Sequence, residues 1–166
     1  MNFFEKVVSR EGVEIYSAPH SREKALYKLS LLLKKQVSDE EATCRQVYDG
    51  AIEREHIGST AVGHGVAYSH YNCESLKRLY AVVGIFPDGI VAWESPDDKP
   101  IHILFLIASP DKESCRYFAF ITHISRMLRS NRLITEMKNS NNPDHIYDFL
   151  LQWERKHGTQ LYVCQK

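Results

Sequence analysis

IHILFLIA, Ile101 to Ala108, is the stretch whose reading decides the fold. It is a near-continuous apolar run of strand length, without the polar alternation of a strand that leaves one face in water. It is far too short to cross a bilayer, which takes about 20 apolar residues in a helix. A strand of this kind needs cover on both faces, so it is predicted to lie centrally in a sheet with helices above and below. Outward from it, RLYAVVG (Arg78 to Gly84) and GIVAW (Gly89 to Trp93) are predicted as two strands joined by a turn at Pro87-Asp88-Gly89. GVEIYS, Gly12 to Ser17, alternates as a short strand with Val13 and Ile15 on one face and Glu14 on the other.

Helices fill the intervals. In SREKALYKLSLLLKKQ, Ala25, Leu26, Leu29, Leu32 and Leu33 recur at helical spacing, with Ser21 placed to cap the start and Lys34 and Lys35 near the end. Ser38 and Glu41 have the spacing of a capping box, which predicts a second helix to about Glu55. Pro110 marks the start of a third, with Phe118, Ile121, Ile124, Met127 and Leu128 as its apolar pattern. Asn142-Pro143 starts the last, through Ile146, Phe149, Leu150 and Trp153 to about Gly158. Strands interleaved with helices around a doubly buried strand predict a three-layer α/β/α sandwich.

The whole chain sets bounds on function. Its 166 residues fit one domain, 1–166. With 43% hydrophobic and 25% charged residues it has the composition of a folded globular protein. Lys+Arg and Asp+Glu both number 21, and no long tract of like charge exists, so nucleic acid is not an expected partner. MNFFEKVVSREG lacks the basic and long apolar regions of a leader, which points to a cytoplasmic protein without membrane insertion. Cys44, Cys73, Cys115 and Cys164 are scattered with no CxxC and are expected to be reduced thiols. His64, His70 and Cys73 can be drawn as a metal set, but no acidic ligand or base motif accompanies them, and neither metal nor cofactor is expected.

Chemistry concentrates in REHIGSTAVGHGVAYSH, Arg54 to His70, where a glycine-rich and hydroxyl-rich segment ends in a histidine. Its order, Arg54-Glu55, Ser59-Thr60, Gly63-His64-Gly65-Val66-Ala67-Tyr68-Ser69-His70, resembles the motif R-E-x-x-x-S-T-x-x-G-x-G-V-A-I-P-H of the type 2 enzyme IIA domains. These belong to the bacterial phosphoenolpyruvate-dependent sugar phosphotransferase system and include mannitol-type, fructose-type and nitrogen-regulatory members. KPIHILFLIASP, Lys99 to Pro110, is similar to the family's penultimate strand and the proline of its next helix, and the resemblance covers about residues 12–155. It implies a mixed, about five-stranded sheet between helices. It also implies a phosphocarrier, a phosphotransferase in which His70 accepts a phosphoryl group from phospho-HPr or a nitrogen-branch relative. Regulation of target proteins follows, or transfer to a IIB domain.

Several neighbours suit that chemistry. A neutral imidazole attacks phosphorus through its bare nitrogen, and a contact to the other nitrogen fixes the tautomer. Arg54 presents a permanently charged donor fork for phosphoryl oxygens, with Ser59 and Thr60 as possible hydroxyl donors. Gly63 and Gly65 permit backbone conformations that aim amides at the same oxygens. Arg54 has a structural alternative, pairing with Glu55 or a helix end. Against the family pattern, Ser69 replaces the proline before the active histidine, Tyr68 replaces a branched aliphatic residue, and Tyr117 stands where many members place a second histidine facing the first. A phenol can donate a hydrogen bond to a phosphoryl oxygen but supplies no imidazolium charge. His123, six residues on and about 120° off that helix face, is not placed to substitute.

Three functions remain open at this level. A nitrogen-regulatory-like phosphocarrier leads, because no transport or sugar-specific domain is fused to the chain. A fructose- or mannitol-type subunit passing phosphate to a IIB cysteine is the second. A regulatory binding module that has lost phosphotransfer through Ser69 and Tyr117 is the third.

Overall fold

The computed structural model describes residues 3–17, 21–37, 41–110 and 114–157. Its elements run α1 (Phe3–Val7), β1 (Val13–Ile15), α2 (Arg22–Lys34), α3 (Glu41–Ile57), β2 (Ala61–Gly63), β3 (Val66–Asn72), β4 (Tyr80–Ile90), β5 (Ile101–Ser109), α4 (Ser114–Met127), α5 (Asn131–Asn139) and α6 (Pro143–His157). The five strands form one sheet in the order β1-β4-β5-β3-β2, with β5 in the centre. β3 runs parallel to β5, β4 antiparallel to it, β1 parallel to β4 and β2 antiparallel to β3. The sheet is therefore mixed, with helices on both sides, as expected.

The central strand shows why IHILFLIA has no polar face. Ile103, Phe105 and Ile107 join one buried cluster with Phe120, Ile124, Met137 and Leu150 of α4 to α6, while Leu104, Leu106 and Ala108 join the other with Leu26, Leu29, Leu33 and Val47 of α2 and α3. Each such Leu, Ile or Phe contributes about 1.5–3 kcal/mol on burial, so both layers hold to the sheet through this strand.

Several helix signals act as read. Ser21 Oγ accepts the Lys24 amide at 3.2 Å and caps α2. Asn142 Oδ1 accepts the Asp144 amide at 2.9 Å, with Pro143 as the first residue of α6. The Ser38 capping box and the tail from Gly158 lie outside the described residues.

Three expectations need correction, and one helix was missed. The two strands around Pro87-Asp88-Gly89 are one, β4, and the supposed turn is a bulge in its pairing with β5. Between the pairs Ile85↔Ile103 and Ile90↔Ile101, β4 carries extra residues without reversing. Gly89, at φ 75°, permits this; a Cβ there would meet Pro100 at 2.8 Å. The third helix ends at Met127, within a residue of its apolar pattern, but a further helix, α5, follows it unforeseen, with Ser130 Oγ capping it through the Leu133 amide. Phe118, read as core, is 64% exposed, while Phe120 fills the interior. Cys44 and Cys73 are free, buried thiols, but Cys115 is disulfide-bonded, so the expectation of reduced cysteines fails there.

A buried polar contact joins the first helix to the last. Glu154 on α6 accepts the Phe3 and Phe4 amides at 2.9 and 3.2 Å, and its Oε1 lies 2.9 Å from Nε2 of His123 on α4. This engages His123 in the core, away from the face that carries Tyr117.

Candidate functional site

β3 presents alternate residues to the two layers. Val66 and Tyr68 pack on the α4–α6 side and Ala67 on the α2–α3 side, so the period-2 geometry of a strand places His70 toward α4. Tyr117, in the first turn of α4, meets it there: the phenol and imidazole stack with centroids 3.7 Å apart and planes 16° from parallel. Regular pairing with β5 through Asn72↔Ser109 holds the strand on both sides of His70, so the backbone is fixed without the family proline at Ser69. Ser69 itself is fully buried.

The electrostatics favour an uncharged ring. Burial, and then the positive charge of Arg54, push His70 down to about 4, so at neutral pH the imidazole keeps a lone pair for attack. Burial raises the Tyr117 phenol and Arg54 partly opposes that shift, leaving its O–H intact at neutral pH. Arg54 acts electrostatically on both rings. It also donates from Nη1 to the Gly58 carbonyl at 2.8 Å, anchoring the end of α3.

The remaining motif residues divide by location. Thr60 bonds Glu55 through both its amide, at 3.2 Å, and its hydroxyl. Glu55 is 2% exposed, so Thr60 serves as partner to a buried carboxylate. Ser59 Oγ donates to the Glu94 carbonyl and accepts the Ala61 amide. Both hydroxyls therefore tie the α3–β2 connection together. Gly63, His64 and Gly65, at φ 87°, 56° and 75°, form the tight turn between β2 and β3. This turn is at the other end of β3, about 16 Å from His70 at about 3.3 Å per residue. Its fixed point is Asp97, whose carboxylate accepts the His64 amide at 2.8 Å and is held down to about 2, first by that bond and then by Ser95.

The structure thus brings His70, Tyr117 and the charge of Arg54 together, and does not bring Ser59, Thr60, Gly63 or Gly65 to them. It does not gather the drawn metal set either. His64 sits at the distant turn, while Cys73 is buried in the α2–α3 layer beside Gln46 and Ser75. Among the described residues no group of three or more His, Cys, Asp or Glu is placed to hold a metal ion.

Two residues beside His70 escaped the sequence reading. Its Nε2 lies 2.8 Å from Ser109 Oγ, and Ser109 donates to Asn72 Oδ1 at 2.9 Å. Asn72 follows His70 by two on the same strand, a usable signal. Ser109 becomes its neighbour only through the β3–β5 register.

Comparison with known proteins decides the family. The family model described as "Phosphoenolpyruvate-dependent sugar phosphotransferase system, EIIA 2" matches residues 6–153. The chain belongs to this family. It is 30% identical over 108 residues to a nitrogen regulatory protein of Bradyrhizobium diazoefficiens, covering 64% of this chain and 69% of that protein. It is 29% identical over 112 residues to the fructose-specific EIIABC component of Bacillus subtilis, covering 67% of this chain but 18% of that longer protein. The solved nitrogen regulatory protein IIA-Ntr of Neisseria meningitidis shares the fold of this EIIA chain, with a TM-score of 0.77 at 16% identity over 89% of this chain and 98% of that one. Among the described residues, no helix is long and apolar enough to cross a membrane.

Proposed function

We propose that this EIIA domain is a cytoplasmic phosphocarrier that takes a phosphoryl group onto His70 from a phosphohistidine of an HPr-like carrier protein. The observation that carries this reading is the state of His70: uncharged at neutral pH, stacked on Tyr117 and within the field of Arg54. The imidazole attacks phosphorus as the carrier's imidazole leaves. Because transfer between two imidazoles is nearly balanced, the protein's contribution is alignment and charge neutralisation. Tyr117 holds the ring plane. Arg54, with further guanidinium donors beyond the one on Gly58, supplies charge for the phosphoryl oxygens. Phe118, exposed beside Tyr117 at 5.2 Å between rings, offers an apolar contact to the carrier at the rim.

The protein then acts as a regulator through contact with target proteins that depends on its phosphorylation state, a reading supported by its similarity to proteins named nitrogen regulatory. The similarity to a fructose-specific component supports a second reading, onward transfer to a IIB cysteine. Incubation with phosphoenolpyruvate, enzyme I and HPr, or their nitrogen-branch counterparts, tests the first step by intact-protein mass. A one-phosphate increase that disappears in His70→Ala supports it. No increase with either set, or an increase that persists in His70→Ala, overturns it and leaves the non-phosphorylated binding module. Adding a purified IIB domain then separates the two fates of the phosphoryl group.

A further inference from the structure

Two cavities, of about 320 and 290 Å³, open where the β2–β3 turn faces the junction of α4 with α5, at the end of β3 remote from His70. His64 and Asn131 line both, so the two adjoin as lobes of one groove. The lobes differ in chemistry. The first is walled by Val62, Val66, Leu128 and Tyr68, with Arg129 beside them. The second carries Lys99 and Lys138 with His102 and Thr135. Among the described residues no carboxylate lines either lobe. In a chain whose basic and acidic side chains balance at 21 each, three cations along one groove are a local excess of positive charge. Asp97 offsets part of it from the margin, with one oxygen 2.8 Å from the His64 amide and 3.8 Å from Lys99 Nζ. Among the described residues, Arg129 and Lys138 have no carboxylate partner. His102 is held in a fixed pose. Its Nδ1 lies 2.9 Å from the Phe86 carbonyl oxygen, which can only accept, so the neutral ring carries its proton on Nδ1 and leaves Nε2 as an acceptor. Its ring also fills the space that a Cβ would need at Gly65 and Gly89, at 3.3 and 3.1 Å. Among the described residues nothing bonds Nε2, and Nε2 is not among the buried unpartnered atoms, so it is open to the groove.

We propose that this groove is a binding site for a nucleoside phosphate, separate from the His70 face. Each lobe has a volume near the lower end of small-molecule pockets, which run about 300–1,000 Å³ and combine apolar walls with a few placed polar groups. The phosphate lies between Lys99 and Lys138, where charge-assisted hydrogen bonds hold it. A ribose hydroxyl donates to Nε2 of His102. The base occupies the apolar lobe, where the planar guanidinium of Arg129 stacks on its face. His64 and Asn131 stand between the two parts of the ligand. A bare phosphate uses only one lobe and a bare nucleoside only the other, so the intact molecule binds more tightly than either.

Amide NMR of the unphosphorylated, full-length protein titrated with AMP tests this without any phosphoryl transfer. Saturable shifts are expected at His64, His102 and Thr135, with a Kd of about 10⁻⁴ M that weakens as salt is added. Inorganic phosphate alone and adenosine alone should each bind at least about tenfold more weakly. Replacing both lysines, Lys99→Gln with Lys138→Gln, is expected to weaken AMP binding about tenfold or more, the scale of lost hydrogen bonds to a charged group. Arg129→Gln should weaken AMP and adenosine together while leaving inorganic phosphate unchanged, which reads the base lobe independently of the lysines. His70→Ala should bind AMP as the wild type does. No saturable shift, shifts confined to His70 and Tyr117, full affinity in the double lysine variant, or inorganic phosphate binding as tightly as AMP overturns the proposal. So does loss of binding in His70→Ala. Intact-mass phosphorylation is read separately, so a failure of the phosphocarrier reading leaves the AMP result standing, and the reverse holds too.

Discussion

The two ends of β3 hold one motif and do different work. At one end, Gly63, His64 and Gly65 adopt positive φ to turn the chain, and Asp97 pins the turn from outside. At the other, His70 is set against Tyr117, Ser109 and the charge of Arg54. The glycines resemble a phosphate cradle in sequence, but the strand carries them about 16 Å from the histidine at about 3.3 Å per residue. A motif that is contiguous in sequence is therefore divided into a segment that builds the sheet edge and a segment that presents a nucleophile.

Substitutions at the two ends should separate these jobs. His70→Ala has the largest expected effect, complete loss of the phosphate-dependent mass increase, with the fold intact by circular dichroism. Arg54→Gln is next: it retains a donor for Gly58 while losing the charge, and is expected to slow phosphoryl acceptance about 100-fold, the order seen when one preorganised charge-stabilising donor is removed. A loss of stability equal to the loss of rate would instead make Arg54 a prop.

Acid probes the same end. With His70 held down to about 4 by burial and by Arg54, acceptance should stay level from pH 8 to 6, where an ordinary imidazole of pKa about 6.5 is already protonating. The stability linked to a neutral His70 is fully present above about pH 6.5 and is lost as pH falls toward 4. Comparing denaturation of wild type and His70→Ala across that window isolates it, and an apparent pKa near 6.5 would contradict the burial argument.

The structural end should respond only in stability. Thr60→Val removes the hydroxyl donor to the buried Glu55 and is expected to cost about 2 kcal/mol in denaturant titrations, the scale of a hydrogen bond to a charged group. Gly65→Ala puts a side chain at φ 75°, with its Cβ 3.1 Å from the Pro100 carbonyl oxygen, and is expected to cost about 1–2 kcal/mol. For both, the transfer rate per folded molecule should match wild type. A selective rate loss would return these residues to the chemistry.

Much of the fold was legible because its signals are local. IHILFLIA announces a central strand by lacking a polar face, and Ser21, Asn142 and Pro143 mark helix starts by their own side chains. Pro87-Asp88-Gly89 misleads because the same residues serve a reversal and a bulge, and only the partner strand's register distinguishes them. α5 went unread because its nine residues carry only a short apolar pattern, Leu133, Ile134 and Met137. At the site, the motif identified His70 and the helix alignment brought Tyr117 to it. Spacing does not say which way a hydroxyl faces: Ser59 and Thr60 are spent on Glu94 and Glu55. Ser109 is distant in sequence and enters only through parallel pairing, a long-range property.

The Glu154 contact has a practical consequence for anyone handling this protein. Its carboxyl group, 6% exposed, depends on the amides of Phe3 and Phe4, so these positions act as a clasp on the closing helix. Shortening the chain ahead of Val8 to tidy an expression plasmid would strand that acid in a greasy interior, beside His123. A fusion partner is better joined without removing those residues, and a variant trimmed there should be checked for melting before any loss of phosphotransfer is blamed on chemistry.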